Sequence, residues 1–253
     1  MEISERIHNE LNALPVGVKV AYLTMFGTFC PITLAHVEAF VQARRILLGE
    51  NGSPQHQMPD KFELVLGFIG LNDDSWTSRK LQNKNEPCGR SVAGVSLEDR
   101  KHLVKLSIKD YEWLTMIDCS FWSYKNDLNH YLQNQYPQVT FIHYELNGAD
   151  DVLRFEKWND CNKSYRLIAM GRSGYTEETR AKILQSKVNP VYCILGPELE
   201  NISSTKVREA LRKGDKNDAL KDMIHPNVIG WCKSHNAYNE ITKGAIGEST
   251  NLV

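Results

Sequence analysis

The chain has 253 residues, of which 42% are hydrophobic and 24% are charged, and its formal net charge is −1. This length predicts one large globular domain or two small ones. A net charge so close to zero excludes a global basic field, so neither nucleic acid nor a membrane is expected as a partner. No apolar run approaches the roughly 20 residues that cross a bilayer, and the six cysteines show neither C-x-x-C nor metal-ligand spacing. We therefore expect an intracellular protein, cytoplasmic or nuclear, with reduced thiols and without a metal site of its own.

Apolar, β-rich runs alternate along the chain with segments of helix length. The first run, 18–26, is followed by a glycine turn and by a segment, 34–48, whose apolar residues recur near helical spacing. This alternation predicts an α/β fold in which helices cover both faces of a mainly parallel sheet. Strands are predicted at 18–26, 62–68, 114–117, 139–143, 166–170 and 191–195, and helices at 34–48, 97–107, 125–135, 175–186, 204–213 and 225–234.

Two stretches interrupt the alternation. Residues 49–60 are rich in Gly, Pro and Gln, and residues 72–94 form a long polar segment, so both predict loops. A loop as long as the second is uncommon in a compact domain, which favours an active-site flap or an insertion. The small, polar residues 239–253 predict a disordered tail, which leaves residues 1–238 as one domain.

The turn after the first predicted strand carries groups that suit a phosphate. Gly27 removes the Cβ where the chain turns from strand to helix, and Thr33 and His36 are three residues apart, on one helical face. The start of a helix stabilises negative charge, and a histidine there can donate to phosphate oxygens. The alternative is a simple turn glycine beside a half-buried polar histidine, and these residues alone leave both interpretations open.

A second candidate phosphate site opens the helix predicted at 204–213. Ser203 or Ser204 can cap this helix, and Lys206 and Arg208 add positive charge to its first turns. Cations at the start of a helix lie at the positive end of the helix dipole, which is electrostatically unfavourable. A bound anionic ligand would offset this unfavourable interaction. The alternative is a capped basic helix that faces solvent, since the positive charges continue to residues 212 and 213.

Five segments, in order, resemble one family over most of the chain. Residues 27–36, GTFCPITLAH, look like the (T/H)-x-x-H nucleotidyltransferase signature in its eukaryotic nicotinamide/nicotinate-mononucleotide adenylyltransferase form, where threonine, here Thr33, replaces the first histidine. Residues 202–211, ISSTKVREAL, are similar to the ISST-x-x-R segment of that family. Residues 147–150, NGAD, and 167–174, LIAMGRSG, resemble its G-A-D turn and the strand and arginine that follow. Residues 225–238 resemble its last helix.

The resemblance implies a Rossmann-like nucleotidyltransferase domain and a reaction. In that reaction, nicotinamide or nicotinate mononucleotide takes the AMP part of ATP, which gives NAD or its deamido form and pyrophosphate. Mg²⁺ would arrive bound to ATP, with few protein ligands. The oligomeric state, including a homo-oligomer, and the preference between the two mononucleotides stay open.

The resemblance also implies roles for single residues. His36 would act at the phosphate oxygens of the reacting centre, and Thr205, Lys206 and Arg208 would hold the β- and γ-phosphates of ATP. Asp150 would accept hydrogen bonds from ribose hydroxyls, although it can also cap the helix near residue 152. Trp122 and Trp158 would sandwich the nicotinamide ring, although core packing also explains a tryptophan. Arg172 would lie beside the adenine, and the remaining positions at the nucleotides are Gly27, Thr28, Phe29, Thr33, Lys80, Gly148, Ser203 and Ser204.

The loop after the second strand matches the family least well. Where the family tends to have an aromatic residue followed by lysines, this chain has residues 76–80, WTSRK, so the phosphate contact can belong to Lys80, to Arg79 or to neither. Two other functions stay open. One is a sibling enzyme of the cytidylyltransferase or pantetheine-phosphate adenylyltransferase type, and the other is a nucleotide-binding or chaperone-like relative without turnover.

Overall fold

A computed structural model describes residues 3–50, 60–82, 95–118, 124–214 and 218–238. Within them, six strands form one sheet: β1 (Lys19–Gly27), β2 (Leu64–Leu71), β3 (Leu114–Ile117), β4 (Thr140–Gly148), β5 (Leu167–Arg172) and β6 (Cys193–Leu199). The strand order is β3-β2-β1-β4-β5-β6, and each neighbouring pair is parallel. This order is that of a doubly wound, Rossmann-like sheet, which confirms the predicted fold class.

The described helices are ten: α1 (Glu5–Ala13), α2 (Leu34–Leu48), α3 (Asp74–Gln82), α4 (Leu97–Ile108), α5 (Tyr124–Gln135), α6 (Ala149–Arg154), α7 (Thr176–Ser186), α8 (Ser204–Arg212), α9 (Asp218–Lys221) and α10 (Pro226–Ser234). A short 3-10 turn, Lys157–Asp160, follows α6. None of the helices in the described ranges is long and apolar enough to cross a membrane.

Helices pack on both faces of the sheet because successive side chains of a strand point to opposite faces. Ala21 and Leu23 of β1 join a buried cluster with side chains of α2 and α4. Val20 and Tyr22 join a separate cluster with side chains of α1 and α5. All eight residues of β2 are buried, as expected of a parallel strand that is covered on both faces.

The structure corrects the loop predicted at 72–94. Residues Asp74–Gln82 form the helix α3, and the Oδ1 of Asp73 accepts a hydrogen bond of 2.7 Å from the backbone N–H of Trp76. Thr77 and Leu81 lie on the buried side of this helix. The polar composition that suggested a loop therefore belongs to a helix with one narrow buried side. Residues 83–94 and most of the predicted loop at 49–60 lie outside the described residues, as does the tail 239–253, so the single-domain boundaries stay predictions.

Candidate functional site

The strand order reverses between β1 and β4, and a cleft of about 330 Å³ opens there at the carboxyl ends of the strands. In open α/β sheets this is where ligands bind. The cleft is lined by the ends of β1, β4 and β5 and by residues of α2, α3 and α8. Of the predicted site residues, the cleft brings together Gly27, Thr28, Phe29, His36, Lys80, Gly148, Asp150, Arg172, Ser203, Ser204, Thr205 and Arg208.

The turn after β1 is shaped by a glycine and an aromatic ring. A Cβ at Gly27 would lie 2.9 Å from Cζ of Phe29, so a larger residue here would displace the ring of Phe29. Phe29 has a φ of 40°, and its ring packs edge-on against the imidazole of His36 at 5.0 Å between centroids. The backbone of this turn therefore lies directly against the cleft, beside His36.

His36 is held as a neutral imidazole. Its Nδ1 accepts a hydrogen bond of 3.0 Å from the backbone N–H of Thr33, and the Oγ1 of Thr33 lies 2.7 Å from the same nitrogen. Nδ1 is thus an acceptor, which assigns the ring proton to Nε2. Burial and the positive charges of Lys80 and Arg172 lower the pKa of His36 to about 4. At neutral pH His36 therefore brings an uncharged N–H donor to the cleft.

Thr33 stands behind His36 instead of lining the cleft. It is 2% exposed, and it is the residue that precedes the first turn of α2. Its contacts with His36 fix the orientation of the imidazole, and Thr33 is not among the residues that line the cleft. Its predicted contact with a nucleotide stays a prediction.

Asp150 and Arg172 form an ion pair across the ends of β4 and β5. The Nη1 of Arg172 lies 2.7 Å from Oδ2 of Asp150, and both side chains are about one third exposed. A Cβ at Gly148 would lie 2.6 Å from Oδ1 of Asp150, so the glycine makes room for the carboxylate. The alternative that Asp150 caps α6 is wrong, because Gly148 is the N-cap of this helix. The carboxylate instead lines the cleft.

The start of α8 is tied to the turn after β1. Ser203 caps the helix, since its Oγ accepts a hydrogen bond of 3.2 Å from the backbone N–H of Lys206. Ser204 donates from its Oγ to the carbonyl of Pro31 at 2.8 Å. Arg208 is only 2% exposed and donates to the carbonyl of Cys30 and, at 3.2 Å, to Oγ1 of Thr205. The alternative of a wholly solvent-facing basic helix is therefore wrong.

Lys206 and Trp158 lie away from the cleft lining. Lys206 is exposed, and its Nζ donates to the carbonyl of Asn201 at 2.8 Å. Trp158 is 5% exposed and packs in a buried cluster with Val152 and Leu167. Its position matches the alternative of core packing, and its stacking role stays a prediction. Trp122 lies outside the described residues.

Sequence reasoning missed a charged network at the end of β4. The Nζ of Lys157 donates to Oδ1 of Asn147 at 2.8 Å and lies 3.1 Å from Oδ2 of Asp151. The Nδ2 of Asn147 donates to Oε1 of Glu145 at 2.9 Å, which fixes the orientation of its amide at the cleft. The sequence does carry a signal for this network, since polar residues alternate with apolar ones at the end of the run that forms β4. These polar residues made the predicted strand, 139–143, too short.

A second missed residue is Arg100, which is completely buried in α4. Its guanidinium contacts the turn after β1, the end of β2 and the start of α3. No pattern in the sequence distinguishes it from the charged residues that surround it in this helix. Among the described residues, no three His, Cys, Asp or Glu side chains are grouped so that they could hold a metal ion.

Comparison with known proteins identifies relatives at low sequence identity. No protein-family model matches the chain. The chain is similar to a probable nicotinate-nucleotide adenylyltransferase of Caldicellulosiruptor bescii, at 24% identity over 222 residues, covering 82% of this chain and 93% of that protein. It is also similar to the nicotinate-nucleotide adenylyltransferase of Salmonella typhi, at 26% identity over 224 residues, covering 78% of this chain and 100% of that protein.

Solved structures give the same fold. Plasmodium falciparum nicotinic acid mononucleotide adenylyltransferase, complexed with NaAD, matches with a TM-score of 0.53 and 17% identity over 86% of this chain and 97% of that one. The same Plasmodium enzyme complexed with APC matches with a TM-score of 0.51 and 16% identity, over 86% of this chain and 96% of that one. At this identity the likeness shows the fold alone, which is the Rossmann-like α/β fold described above.

Proposed function

We propose that this protein is an adenylyltransferase that joins nicotinate or nicotinamide mononucleotide to the AMP part of ATP. The observation that carries the proposal is that two distant phosphate-handling segments meet in one cleft. The turn from Gly27 to Phe29, with His36, faces the start of α8, with Ser203 and Arg208. The curated relatives carry the name of this activity, which supports the same conclusion.

The reaction needs no covalent intermediate with the protein. A phosphate oxygen of the mononucleotide attacks the α-phosphorus of ATP in line. The bond between that phosphorus and the oxygen bridging to the β-phosphate breaks, and pyrophosphate leaves with the electron pair. Such a transfer depends on positioning and on stabilising charge at the phosphate oxygens.

The residues of the cleft can both position the substrates and stabilise charge at the phosphate oxygens. His36 donates through Nε2 to an oxygen of the reacting phosphate, and because its pKa lies well below the physiological pH range it does so as an uncharged donor. Lys80 at the cleft adds positive charge. Arg208 holds the carbonyl of Cys30 and thereby ties the two phosphate segments together, while it also lines the cleft.

Asp150 and Arg172 suit the sugar and base of a nucleotide. The carboxylate of Asp150 has more lone pairs than its single ion pair uses, so it can accept from ribose hydroxyls. Arg172 keeps this carboxylate oriented at the rim of the cleft. The pair thereby sets the direction in which a nucleotide enters.

Mg²⁺ fits this site only as part of MgATP. Mg²⁺ keeps several waters and binds mainly to the phosphates of nucleotides, so it needs few protein ligands. The carboxylates that line the cleft are those of Asp150, Asp151 and Glu200, and among the described residues no three His, Cys, Asp or Glu side chains are grouped so that they could hold a metal ion. The ion supplies charge neutralisation on the phosphates.

Two finer assignments belong to this proposal. Thr33, in place of a first motif histidine, supports the eukaryotic form of the signature, whereas the curated relatives cited above are bacterial. An intracellular location is supported by the free thiols of Cys30, Cys161, Cys193 and Cys232.

The test is product formation by the purified full chain. With ATP, Mg²⁺ and either mononucleotide, mass spectrometry should detect NAD or its deamido form together with pyrophosphate. Parallel reactions with phosphopantetheine, or with CTP and a phosphorylated alcohol, test the sibling activities. Nucleotide binding by calorimetry without any dinucleotide would favour the non-catalytic relative and overturn the proposal.

A further inference from the structure

Arg100 of α4 contacts three backbone segments that surround the cleft. Its side chain is 0% exposed. Nη1 donates to the carbonyl of Thr28 at 2.8 Å, and Nη2 donates to the carbonyl of Asn72 at 2.9 Å and to Oδ1 of Asp74 at 2.8 Å. One rigid guanidinium therefore connects the turn after β1, the turn after β2 and the start of α3.

Asp74 also connects the start of α3 to the start of α4. Its Oδ2 accepts a hydrogen bond of 3.1 Å from the backbone N–H of Leu97, at the start of α4. Lys80, six residues further along α3, lines the cleft and acts electrostatically on His36. The position of Lys80 relative to His36 is therefore coupled to the contacts made by Arg100.

We propose that Arg100 is a positioning residue for adenylyl transfer, which sets the place of α3 and of Lys80 against the phosphate-binding turn at Thr28. The inference rests on the proposed function, since positioning matters only if phosphates react in this cleft. Arg100 itself contacts only protein groups in the hydrogen bonds described above. It acts through Lys80 and the turn.

Stability alone does not explain this arrangement. A buried arginine paired with a half-exposed carboxylate pays a desolvation penalty, and apolar replacements of buried ion pairs are often neutral or stabilising. The Nε of Arg100 has no hydrogen-bond partner among the described residues, which adds to that penalty. Its three acceptors share one property, which is that each belongs to a segment beside the cleft.

The chain contains a matched control at the opposite edge of the sheet. Arg166 is 7% exposed, and its Nη1 lies 2.8 Å from Oδ2 of Asp60 and 3.0 Å from the hydroxyl of Tyr144. It precedes β5, at the amino-terminal edge of the strands, away from the cleft. Arg166 and Arg100 are thus both buried arginines that pair with an aspartate, whose side chain is 13% exposed in Asp60 and 50% exposed in Asp74, and they lie at opposite ends of the strands.

The first experiment compares Arg100→Lys with Arg166→Lys in the full chain. Lysine keeps the charge but cannot reproduce a planar fork with several donors. Both variants should lower the urea midpoint. Arg100→Lys should also lower kcat/KM for dinucleotide formation about 10- to 100-fold, mainly through kcat, because small misplacements of reacting groups cost up to about a hundredfold. Arg166→Lys should change kcat/KM less than about twofold. Equal losses in both variants, or no loss in Arg100→Lys, would overturn the proposal.

A milder pair covers the case in which Arg100→Lys does not fold. Asp74→Asn removes the charge that Arg100 binds at the start of α3, and Asp60→Asn does the same for Arg166. Asp74→Asn should lower kcat, and Asp60→Asn should not.

A second test combines Arg100→Lys with Lys80→Ala. Because Arg100 acts through Lys80 as well as through the turn, the loss in the double variant should be smaller than the product of the two single losses, whereas fully multiplied losses would contradict a route through Lys80.

Titration of His36 by NMR separates this proposal from the proposed function. Lys80 is one of the causes that lower the pKa of His36 in the native protein, along with burial and Arg172. Displacing α3 in Arg100→Lys should raise the pKa of His36, whereas Arg166→Lys should leave it unchanged. This readout needs no turnover, so a wild-type protein without activity would overturn the function while the titration still decides the role of Arg100. An unchanged His36 titration in Arg100→Lys would overturn the positioning role.

Discussion

Thr33 contacts one nitrogen of His36 twice, with its backbone N–H at 3.0 Å and its Oγ1 at 2.7 Å from Nδ1. This relationship fixes which ring nitrogen carries the proton. It follows that the Nε2–H of His36 is oriented before any ligand arrives, and that the donor needs no reorganisation during the reaction.

His36→Ala should therefore lower kcat about 10²- to 10³-fold, because removing one donor to the developing charge costs about 2.7–4 kcal/mol. The change in the free energy of unfolding should be much smaller than this loss of about 2.7–4 kcal/mol in transition-state stabilisation. His143→Ala is the matched control, since His143 packs against Tyr22 on β1 and contacts Thr24. Initial rates of dinucleotide formation and urea melts of both variants check the prediction. Unchanged turnover in folded His36→Ala would remove His36 from the mechanism.

The lowered pKa of His36 predicts how stability depends on pH. The unfolded imidazole titrates near 6.5, and the native one near 4. Between these values the unfolded chain binds more protons, so the free energy of unfolding should fall as the pH drops from about 6.5 to 4, by at most about 3 kcal/mol. Urea melts at intervals across this window should show the fall in the wild type. His36→Gln should flatten it, and an equal slope in both proteins would contradict the assignment.

Asp150→Asn should affect substrate use more than stability. The ion pair with Arg172 is partly exposed, and such pairs contribute about 0–1 kcal/mol. The lost charge should raise KM for a nucleotide several-fold while the melting temperature moves little. Glu112→Gln, which breaks the exposed pair with Arg6, is the control and should change neither quantity. A large loss of stability with an unchanged KM would assign Asp150 to the fold.

Arg208→Ala should lower both stability and ATP use. The side chain is buried and bonded to the carbonyl of Cys30, so truncation leaves a buried acceptor without its donor, at about 1–3 kcal/mol. We expect the KM for ATP to rise about tenfold or more and the KM for the mononucleotide to change little. Arg212→Ala, at the end of the same helix, should stay within about 0.5 kcal/mol of the wild type. Equal losses for both substrates would count against a role at the ATP phosphates.

Trp158 gives a direct test of core packing against ring stacking. Trp158→Ala should cost about 3–5 kcal/mol of stability, as expected for a large buried aromatic side chain. Trp158→Phe keeps an aromatic ring and should fold. If Trp158 packs only in the core, the KM for the mononucleotide should stay within about twofold in this variant. A selective rise of that KM, with the KM for ATP unchanged, would support the stacking role.

Local sequence patterns predict the bounds of a helix well where capping residues mark its ends. Helix α2 begins and ends at the predicted residues, 34 and 48, and Gly49 adopts the left-handed conformation that ends it. All six strands were located, because parallel strands buried on both faces are continuous apolar runs, but the predictions end five residues before the end of β4 and four before the end of β6. Helix α3 was missed because Asp73, Asp74 and Ser75 resemble a loop when their partners in α4 are not known.

The sequence by itself determined the alternation of strands and helices, and with it the fold class, and it predicted phosphate contacts at the turn after β1 and at the start of α8. Only the tertiary structure decided which polar side chains meet. Arg208 and the carbonyl of Cys30 are 178 residues apart in sequence, and Arg100 and the carbonyl of Thr28 are 72 apart. A polar residue in a helix has the same local pattern whether it faces water or a buried carbonyl. The difference arises when folding buries the carbonyls of the turn after β1, because a buried acceptor then requires a donor, and here the donors come from the distant helices α4 and α8.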